Sequence, residues 1–340
     1  MSILIHATIR SCRWLHGALG ATVLLGGMCL SVRADHAAPP QPPQLIQQFK
    51  AHNLVGESLI HVVAAPQGSG FATFASDGLV RVWSKPAVLE QQFASQPAEM
   101  LFDGFITVAP KTYLTAAYNG VVTRWSPRGQ VLQTYAPHLS GATAVVQLPG
   151  PHGVVTSSDD GSIRFWSSDG RLKRRVQLHG VSRHLALATK RQLVATSQDI
   201  STVTLFATDG SVLSVTPINQ GRINDLVFSP DERLLITGGF DGSIKIWAID
   251  QPRQPARLIR TLPVIAGAGW IEGLAVNQWG VLAAVSDDGL LRLWSVHGQL
   301  HSSLKLSDHR LLSVSFSADG QTLYVAAQDG TISVLRIPSA

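Results

Sequence analysis

Residues 225–247 read Asp-Leu-Val-Phe-Ser-Pro-Asp-Glu-Arg-Leu-Leu-Ile-Thr-Gly-Gly-Phe-Asp-Gly-Ser-Ile-Lys-Ile-Trp, and this stretch decides the fold. It holds three short apolar segments, 225–228, 234–237 and 244–247, which are separated by two turns. Asp241-Gly242 adopts positive φ at little cost, so it builds a tight turn between antiparallel strands. The last segment alternates between apolar and polar residues, as a strand with one buried face does. The stretch therefore predicts one antiparallel β-unit.

The same unit recurs seven times along the chain. Each copy has an Asp or Asn turn, usually followed by Gly, and then an alternating strand that ends in an aromatic residue or Leu. The turn residues are Asp77, Asn119, Asp160, Asp199, Asp241, Asp288 and Asp329. The strands end at Trp83, Trp125, Trp166, Phe206, Trp247, Trp294 and Leu335, at intervals of 42, 41, 40, 41, 47 and 41 residues. Four short strands in each interval predict an all-β fold, a seven-bladed β-propeller of four-stranded antiparallel blades.

Two stretches give this repeat a family resemblance. Phe228-Ser229-Pro230-Asp231 with the following segment 239–247, and Phe316-Ser317-Ala318-Asp319-Gly320 in the last unit, resemble blades of the WD-repeat family. The resemblance covers about residues 44–337. It implies that the N-terminal segment 45–49 supplies the fourth strand of the last blade. This pairing of the two termini closes the ring and removes the strand edges that they would otherwise expose.

The chain departs from the family pattern at two places. The Asp that follows the Trp in WD repeats is replaced, and the Gly-His signal between blades is mostly missing. The replacing residues are Ser84, Ser126, Ser167, Ala248 and Ser295. Histidines that fall in the connections between blades are His52, His138, His179 and His309, at uneven spacing. The family's buried His–Ser/Thr–Asp–Trp network is therefore not expected in most blades.

Residues 1–34 have the features of a secretory signal peptide. Two arginines precede a mostly apolar run (14–30), and small residues come before a cleavage position after Ala34. The alternative is an uncleaved anchor, because the 19 residues 14–32 are just long enough to span a membrane. A lipoprotein signal at Cys29 is disfavoured, since Met28 stands where a small residue is needed. We expect cleavage and export, to the periplasm or outside the cell, and no stable membrane insertion afterwards.

Composition excludes several other classes of protein. With 45% hydrophobic and 14% charged residues among 340, the chain is not intrinsically disordered. Both cysteines lie in the leader, so a disulfide scaffold is excluded. Three of the 27 basic residues and none of the 22 acidic ones precede residue 35, which leaves the mature chain at +2. This near-neutral balance argues against a nucleic-acid partner. Residues 35–43 form a Pro-rich spacer, and 44–338 form the propeller.

No motif nominates an enzyme, a metal or a cofactor. The 12 histidines include no His-Glu-x-x-His pattern, and neither a phosphate-binding Gly-rich loop nor a Gly-x-Ser-x-Gly elbow is present. The seven periodic turn residues could form a carboxylate ring for a cation. Their strict periodicity favours a structural role instead, in which each caps its own turn.

Aligning the units on their first strands singles out one set of residues. Arg222, Trp270 and Arg310 share a position at the start of the innermost strand, and Arg183 lies at or one residue from it. These residues would rim the central channel, and Arg and Trp are enriched at interaction hot spots. The arc could hold an acidic or aromatic segment of a partner, or its members could be ordinary loop residues. A basic stretch at 171–175 is expected on an outermost strand, where it protects the edge or docks an acidic partner.

Three functions follow as hypotheses. The first is a non-catalytic, monomeric scaffold that presents its channel face to another, unidentified protein. The second is a hydrolase or lactonase with a metal in the channel, for which His61, His184, Asp225 and Glu272 lie on or near innermost strands. The third is a carbohydrate-binding propeller that uses Trp270 and Trp279, although these two are expected on opposite faces.

Overall fold

The computed structural model describes residues 42–338 except 55–58, 69, 86, 95–98, 109, 151–152, 199–200 and 263–268. The predicted leader, residues 35–41 of the spacer and the turn residue Asp199 lie outside the described residues. The described part of the chain consists of strands and turns, and it contains no helix that is long and apolar enough to cross a membrane.

The strands form seven four-stranded antiparallel sheets, each of which is one blade. Blades 1 to 4 follow the chain, with the innermost strand first. Blade 1 contains β2 (Ile60–Ala64), β3 (Phe71–Ala75), β4 (Leu79–Lys85) and β5 (Val88–Ala94). Blade 2 contains β6 (Leu101–Ile106), β7 (Tyr113–Ala117), β8 (Val122–Trp125) and β9 (Val131–Tyr135). Blade 3 contains β10 (Ala142–Gln147), β11 (Val154–Ser158), β12 (Ser162–Trp166) and β13 (Leu172–Gln177). Blade 4 contains β14 (Ser182–Ala188), β15 (Leu193–Gln198), β16 (Thr202–Ala207) and β17 (Val212–Pro217).

The last three blades continue this order and complete the ring. Blade 5 contains β18 (Ile223–Phe228), β19 (Leu234–Gly239), β20 (Ile244–Ala248) and β21 (Arg257–Thr261). Blade 6 contains β22 (Ile271–Val276), β23 (Val281–Ser286), β24 (Leu290–Ser295) and β25 (Leu300–Lys305). Blade 7 contains β26 (Leu311–Phe316), β27 (Thr322–Ala327), β28 (Thr331–Arg336) and, outermost, β1 (Gln44–Lys50). Each innermost strand contacts those of both neighbouring blades, and β26 contacts β2. The predicted seven-bladed propeller is confirmed.

The N-terminal strand closes the ring as expected. β1 pairs with β28 in antiparallel register from Gln44 opposite Arg336 to Lys50 opposite Thr331. Gln48 Nε2 donates to Ser333 Oγ at 2.7 Å, and Lys50 Nζ forms a 2.5 Å ion pair with Asp329. Phe49 also packs edge-on against Trp83 of blade 1, with ring centroids 4.9 Å apart. β1 therefore completes blade 7 and joins it to blade 1.

The core is divided among the interfaces between blades. The described residues form seven clusters of buried apolar side chains, and each cluster combines two neighbouring blades. At the interface of blades 4 and 5, for example, Leu193, Val203 and Leu205 pack with Leu235 and Trp247. Because every blade buries one face against each neighbour, no blade has a core of its own.

The aromatic strand ends are held by short polar chains in some blades. The indole Nε1 groups of Trp83, Trp125, Trp166 and Trp247 each donate to a threonine on the preceding strand, at 2.9–3.1 Å. In blade 3 that threonine, Thr156, also bonds His138 Nε2 at 2.8 Å, and His138 Nδ1 lies 3.3 Å from Asp160 Oδ2. The threonines thus accept the hydrogen bonds of indole N–H groups that burial has removed from water, and these bonds fix the position of the rings.

Histidine completes this network in blades 1 and 3 of the described structure. His52 bonds Thr73 at 2.7 Å and Asp77 at 2.8 Å, as His138 does with its partners in blade 3. Gln220 takes the histidine's place in blade 5, where its Oε1 accepts from Thr237 and its Nε2 donates to Ser243 O at 3.0 Å. His179 and His309 are exposed, and His309 Nε2 lies 4.0 Å from Asp329 Oδ2, the turn residue of blade 7, without the buried bond to threonine. This agrees with the expectation that most blades lack the full set.

Candidate functional site

The residues of the predicted arc lie on the face of the ring that carries the Asp turns, which we call the turn face. Each innermost strand starts there, beside the end of the second strand of its blade. Arg222 O, for example, accepts from Phe240 N at 2.8 Å, and Trp270 O accepts from Asp287 N at 3.1 Å. The strands enclose a central channel of about 700 Å³ that is lined by side chains of all seven blades. Arg183 and Arg222 line this channel near its mouth on the turn face.

Three blades contribute to one continuous row of side chains at this mouth. The guanidinium of Arg222 lies over the ring of Phe240, 5.4 Å from its centroid. Phe240 stacks on Trp270 with centroids 3.8 Å apart, and the guanidinium of Arg310 lies 5.6 Å from the Trp270 ring. We call Arg222, Phe240, Trp270 and Arg310 the arginine–aromatic row. Cation–π and stacking contacts hold these side chains in place, so the row is preformed for binding.

Carboxylates balance part of the positive charge at the mouth. Arg310 forms a close ion pair with Glu272, and Arg183 Nη1 lies 3.3 Å from Asp159 Oδ1. Burial raises the pKa of Glu272, although the Arg310 guanidinium opposes this rise. Arg183 was predicted at or one residue from the position of Arg222 and Arg310, but it lies two residues further along its strand. Ser182 is the first residue of β14, whereas Arg222 and Arg310 each precede the first residue of theirs. It therefore belongs to the channel wall below the row.

Phe240 is a member of the row that the sequence reasoning missed. It was seen only as part of the Gly-Phe-Asp-Gly turn, whereas the structure places it between Arg222 and Trp270. The sequence carried a signal for this position, because Phe240 and Tyr118 are both aromatic residues that stand directly before the turn residue of their blade. Gly269 helps to position Trp270, because a Cβ there would lie 1.3 Å from Asp287 Oδ1.

Below the mouth, one layer of the channel carries two His–Asp pairs. Six innermost strands have a bulge near their start, whereas β2 pairs with β3 without one. The missing bulge brings His61 level with Asp103 and Asp225, although it lies one residue nearer the start of its strand. The seven residues of this channel layer are His61, Asp103, Ala144, His184, Asp225, Gly273 and Ser313.

The two carboxylates of the channel layer also tie blades together. Asp103 Oδ2 accepts from Val145 N of blade 3 at 2.9 Å, and Asp225 Oδ2 accepts from Leu274 N of blade 6 at 2.7 Å. Each therefore satisfies a backbone N–H of a neighbouring innermost strand, which has no partner strand on its channel side.

The pairs differ in their electrostatics. Burial would lower the pKa of His61, but the charge of Asp103, whose Oδ1 lies 2.5 Å from Nδ1, raises it above the ordinary value. Burial lowers the pKa of His184 to about 3, and its Nδ1 lies 4.0 Å from Asp225 Oδ1. Burial raises the pKa of Asp225 to about 7. The layer thus holds one histidine whose pKa is raised and one whose pKa is lowered.

Ser313 is the hydroxyl of the channel layer, and among the described residues it makes no hydrogen bond to His61. Its Oγ accepts from Val62 N at 3.1 Å. A serine nucleophile would need its base within hydrogen-bond reach. Within the described part of the chain, no three His, Cys, Asp or Glu side chains are grouped so that they could hold a metal ion.

The other predicted residues are found as follows. Each described turn residue accepts, through Oδ1, the N–H of the residue two positions later, at 2.8–3.0 Å. These residues are Asp77, Asn119, Asp160, Asp241, Asp288 and Asp329. The basic stretch 171–175 lies exposed on or beside β13, the outermost strand of blade 3. Trp279 is in the β22–β23 hairpin, at the opposite end of β22 from Trp270, so the two indoles share no site.

Comparison with known proteins agrees with this architecture. A family model described as WD domain, G-beta repeat matches residues 129–167, 210–248 and 299–334. An uncharacterized WD repeat-containing protein of Synechocystis, slr1410, is 38% identical over 294 residues, which cover 86% of each chain. Human WD repeat-containing protein 90 is 25% identical over 81% of this chain but only 17% of its own length. The chain belongs to the WD-repeat family.

A further relative has a name that describes an assembly. The target of rapamycin complex subunit LST8 of Saccharomyces cerevisiae is 26% identical over 192 residues, 55% of this chain and 61% of its own. WD-repeat propellers generally act as scaffolds for protein interactions and are typically non-enzymatic.

Proposed function

We propose that this chain is an exported, monomeric, non-catalytic scaffold that binds another protein at the mouth of its channel on the turn face. The observation that carries the proposal is the arginine–aromatic row. It spans three blades, it is preformed, and Trp270 remains 37% exposed at its centre. Arg and Trp are the residue types that dominate binding energy at protein interfaces. The yeast relative named as a complex subunit supports the same class of function.

Glutamine substitutions at both ends of the row are expected to weaken partner binding at least about tenfold, or about 1.4 kcal/mol. The variant is Arg222→Gln/Arg310→Gln, which removes both guanidinium contacts to the aromatic rings. The partner is first captured with the full chain from an extract of the native cell envelope, and affinities are then measured with the purified pair.

A matched control carries the same change of charge away from the mouth. Arg174→Gln/Arg175→Gln alters exposed residues on β13. It is expected to bind like the parent, and both variants should melt within 2–3 °C of it, since the changed side chains are not core residues. Equal binding by the row variant and the parent would disprove the proposed site.

Export is a separate part of the proposal and has its own test. The protein recovered from the periplasm of the native host is expected to begin at Asp35, because the pattern in 1–34 favours cleavage after Ala34. Intact-mass measurement or N-terminal sequencing checks this directly. A product that keeps residues 1–34 and sediments with membranes would instead establish the anchor, and one confined to the cytoplasm would refute export.

A further inference from the structure

The turn face has a second exposed sector, on the opposite side of the ring from the arginine–aromatic row. Tyr118 is 62% exposed, Leu139 is 83% exposed, and Met100 and Leu59 are each 39% exposed. Leu59 and Met100 occupy the strand-start position in blades 1 and 2 that Arg222, Trp270 and Arg310 occupy in blades 5 to 7. The same structural position is therefore apolar on one side of the mouth and cationic or aromatic on the other.

Contacts show that the apolar residues of blades 2 and 3 lie together. Met100 O accepts from Tyr118 N at 2.8 Å, and Phe102 packs edge-on against Tyr118 with centroids 5.7 Å apart. The connection that carries Leu139 is fastened to the Tyr118 turn, because His138 N donates to Gly120 O at 3.0 Å. Large exposed apolar side chains in one group are unusual on a soluble monomer and mark binding surfaces. We call Leu59, Met100, Phe102, Tyr118 and Leu139 the apolar sector.

The wall across the channel from this sector carries two arginines, one of which, Arg183, pairs with Asp159. Arg183 and Arg222 lie on neighbouring blades 4 and 5 and both line the channel. Burial is the largest cause of the low pKa of His184. The positive charges of Arg222, His61 and Arg183 lower this pKa further, whereas the charge of Asp103 raises it. A guanidinium has five N–H donors, so each arginine can donate hydrogen bonds to a partner's carboxylate in addition to its present contacts.

We propose that the partner lays one short segment across the channel mouth, with an apolar side chain on the apolar sector and a carboxylate at Arg183 and Arg222. This inference rests on the proposed function and specifies the chemistry of its partner. An extended chain advances about 3.3 Å per residue, so one segment reaches both sectors when its apolar and acidic residues are several positions apart. The two sectors together also fix the direction in which the segment runs, since exchanging its ends would place a carboxylate on Tyr118 and Met100.

The test is selection of random 12-residue peptides, displayed on phage, with the immobilised full chain. Enriched peptides are synthesised, and their affinity is measured by fluorescence polarisation. We expect the enriched peptides to share an aliphatic or aromatic residue and, several positions away, an Asp or Glu. Met100→Ser/Tyr118→Ser and Arg183→Gln/Arg222→Gln should each reduce their affinity at least about tenfold.

Two controls match these variants. Trp279→Ser changes an exposed aromatic residue, 47% accessible, on the opposite face, and Arg174→Gln/Arg175→Gln changes two exposed cations on β13. Both should leave peptide affinity unchanged. In addition, replacing the acidic residue of a selected peptide by its amide should abolish the effect of the Arg183/Arg222 variant, as a direct contact requires.

The outcomes separate this inference from the proposed function. Peptides that lose affinity with Arg222→Gln/Arg310→Gln but not with Met100→Ser/Tyr118→Ser would overturn the inference and leave the binding face in place. Peptides that are insensitive to every variant on the turn face would count against both. Failure to enrich any peptide would overturn the inference alone, because a preformed site for a short segment must bind short segments.

Discussion

Deletion of Gln44–Lys50 is expected to destabilise the entire ring, by at least about 5 kcal/mol, and to lower the melting temperature by about 10 °C or more. The deletion removes the outermost strand of blade 7 and leaves the hydrogen-bonding groups of β28 exposed. It also removes Phe49 from the cluster that joins blades 7 and 1, where it packs against Phe71 and Trp83. Because all blades share their cores with neighbours, an opened interface weakens the whole ring.

The control is a deletion of the same length in the spacer that precedes β1. Removing residues 35–41 takes away seven residues of the Pro-rich spacer but none of β1. Differential scanning calorimetry of both variants, beside the parent, measures the effect, and only the β1 deletion should shift the transition. If the β1 deletion melts at the parental temperature, the strand does not close the ring.

Lowering the pH from 7.5 to 5 is expected to cost the parent chain about 2 kcal/mol through His138, and His138→Gln should remove this loss. Burial lowers the pKa of His138 to about 4, whereas the unfolded chain takes up the proton near 6.5. The stabilisation from neutral His138 is therefore complete above pH 6.5 and is lost as the pH falls towards 4. His52 contributes in the same direction, since burial also lowers its pKa.

Comparison with the variant isolates His138 from the channel residues. As the pH falls, Asp225, whose pKa is raised to about 7, increases the stability of the protein. His184, whose pKa is lowered to about 3, decreases it. His61, whose pKa is raised, adds stability as the pH falls from 7.5 towards 6.5, and it does so in the parent and in the variant alike. Glutamine is the appropriate substitute, because Gln220 takes the histidine's place in blade 5.

Urea unfolding at both pH values measures these free energies. His309→Gln is the control, because the His309 side chain is 60% exposed, and it should follow the parent at both pH values. The result that contradicts the assignment is a parallel loss of stability in the parent and in His138→Gln.

The fold was predictable because its signals are local and are repeated. Asp-Gly or Asn-Gly turns, alternating strands and an aromatic strand end specify one blade, and recurrence at 40–47 residues specifies how blades join. Closure by β1 followed from the family resemblance, and the structure pairs this strand with β28. Position in the repeat also placed Arg222, Trp270 and Arg310 on a common rim.

The partners of these residues were not predictable, because they come from other blades. The stacking of Phe240 on Trp270 and the pairing of Arg310 with Glu272 depend on how far side chains reach across an interface. His61, His184 and Asp225 of the channel layer were named from the sequence, but Asp103 and the two His–Asp pairs were missed for a different reason. Which residues lie level in the channel depends on the bulge that β2 lacks. A one-residue shift of register does not change the 40-residue spacing of the repeats, so it cannot be read from that spacing.

Closure by β1 also determines when the molecule can be finished. Gln48 and Ser333, which bond across the closing pair, are 285 residues apart in the chain. β1 is synthesised first but cannot pair until β28 has been synthesised. Contacts between residues so far apart in the chain form late in folding. Until residues 331–336 have been synthesised, β1 has no strand to pair with and the ring stays open. Because β1 pairs with the last strand of the chain, the ring can close only when translation is nearly complete.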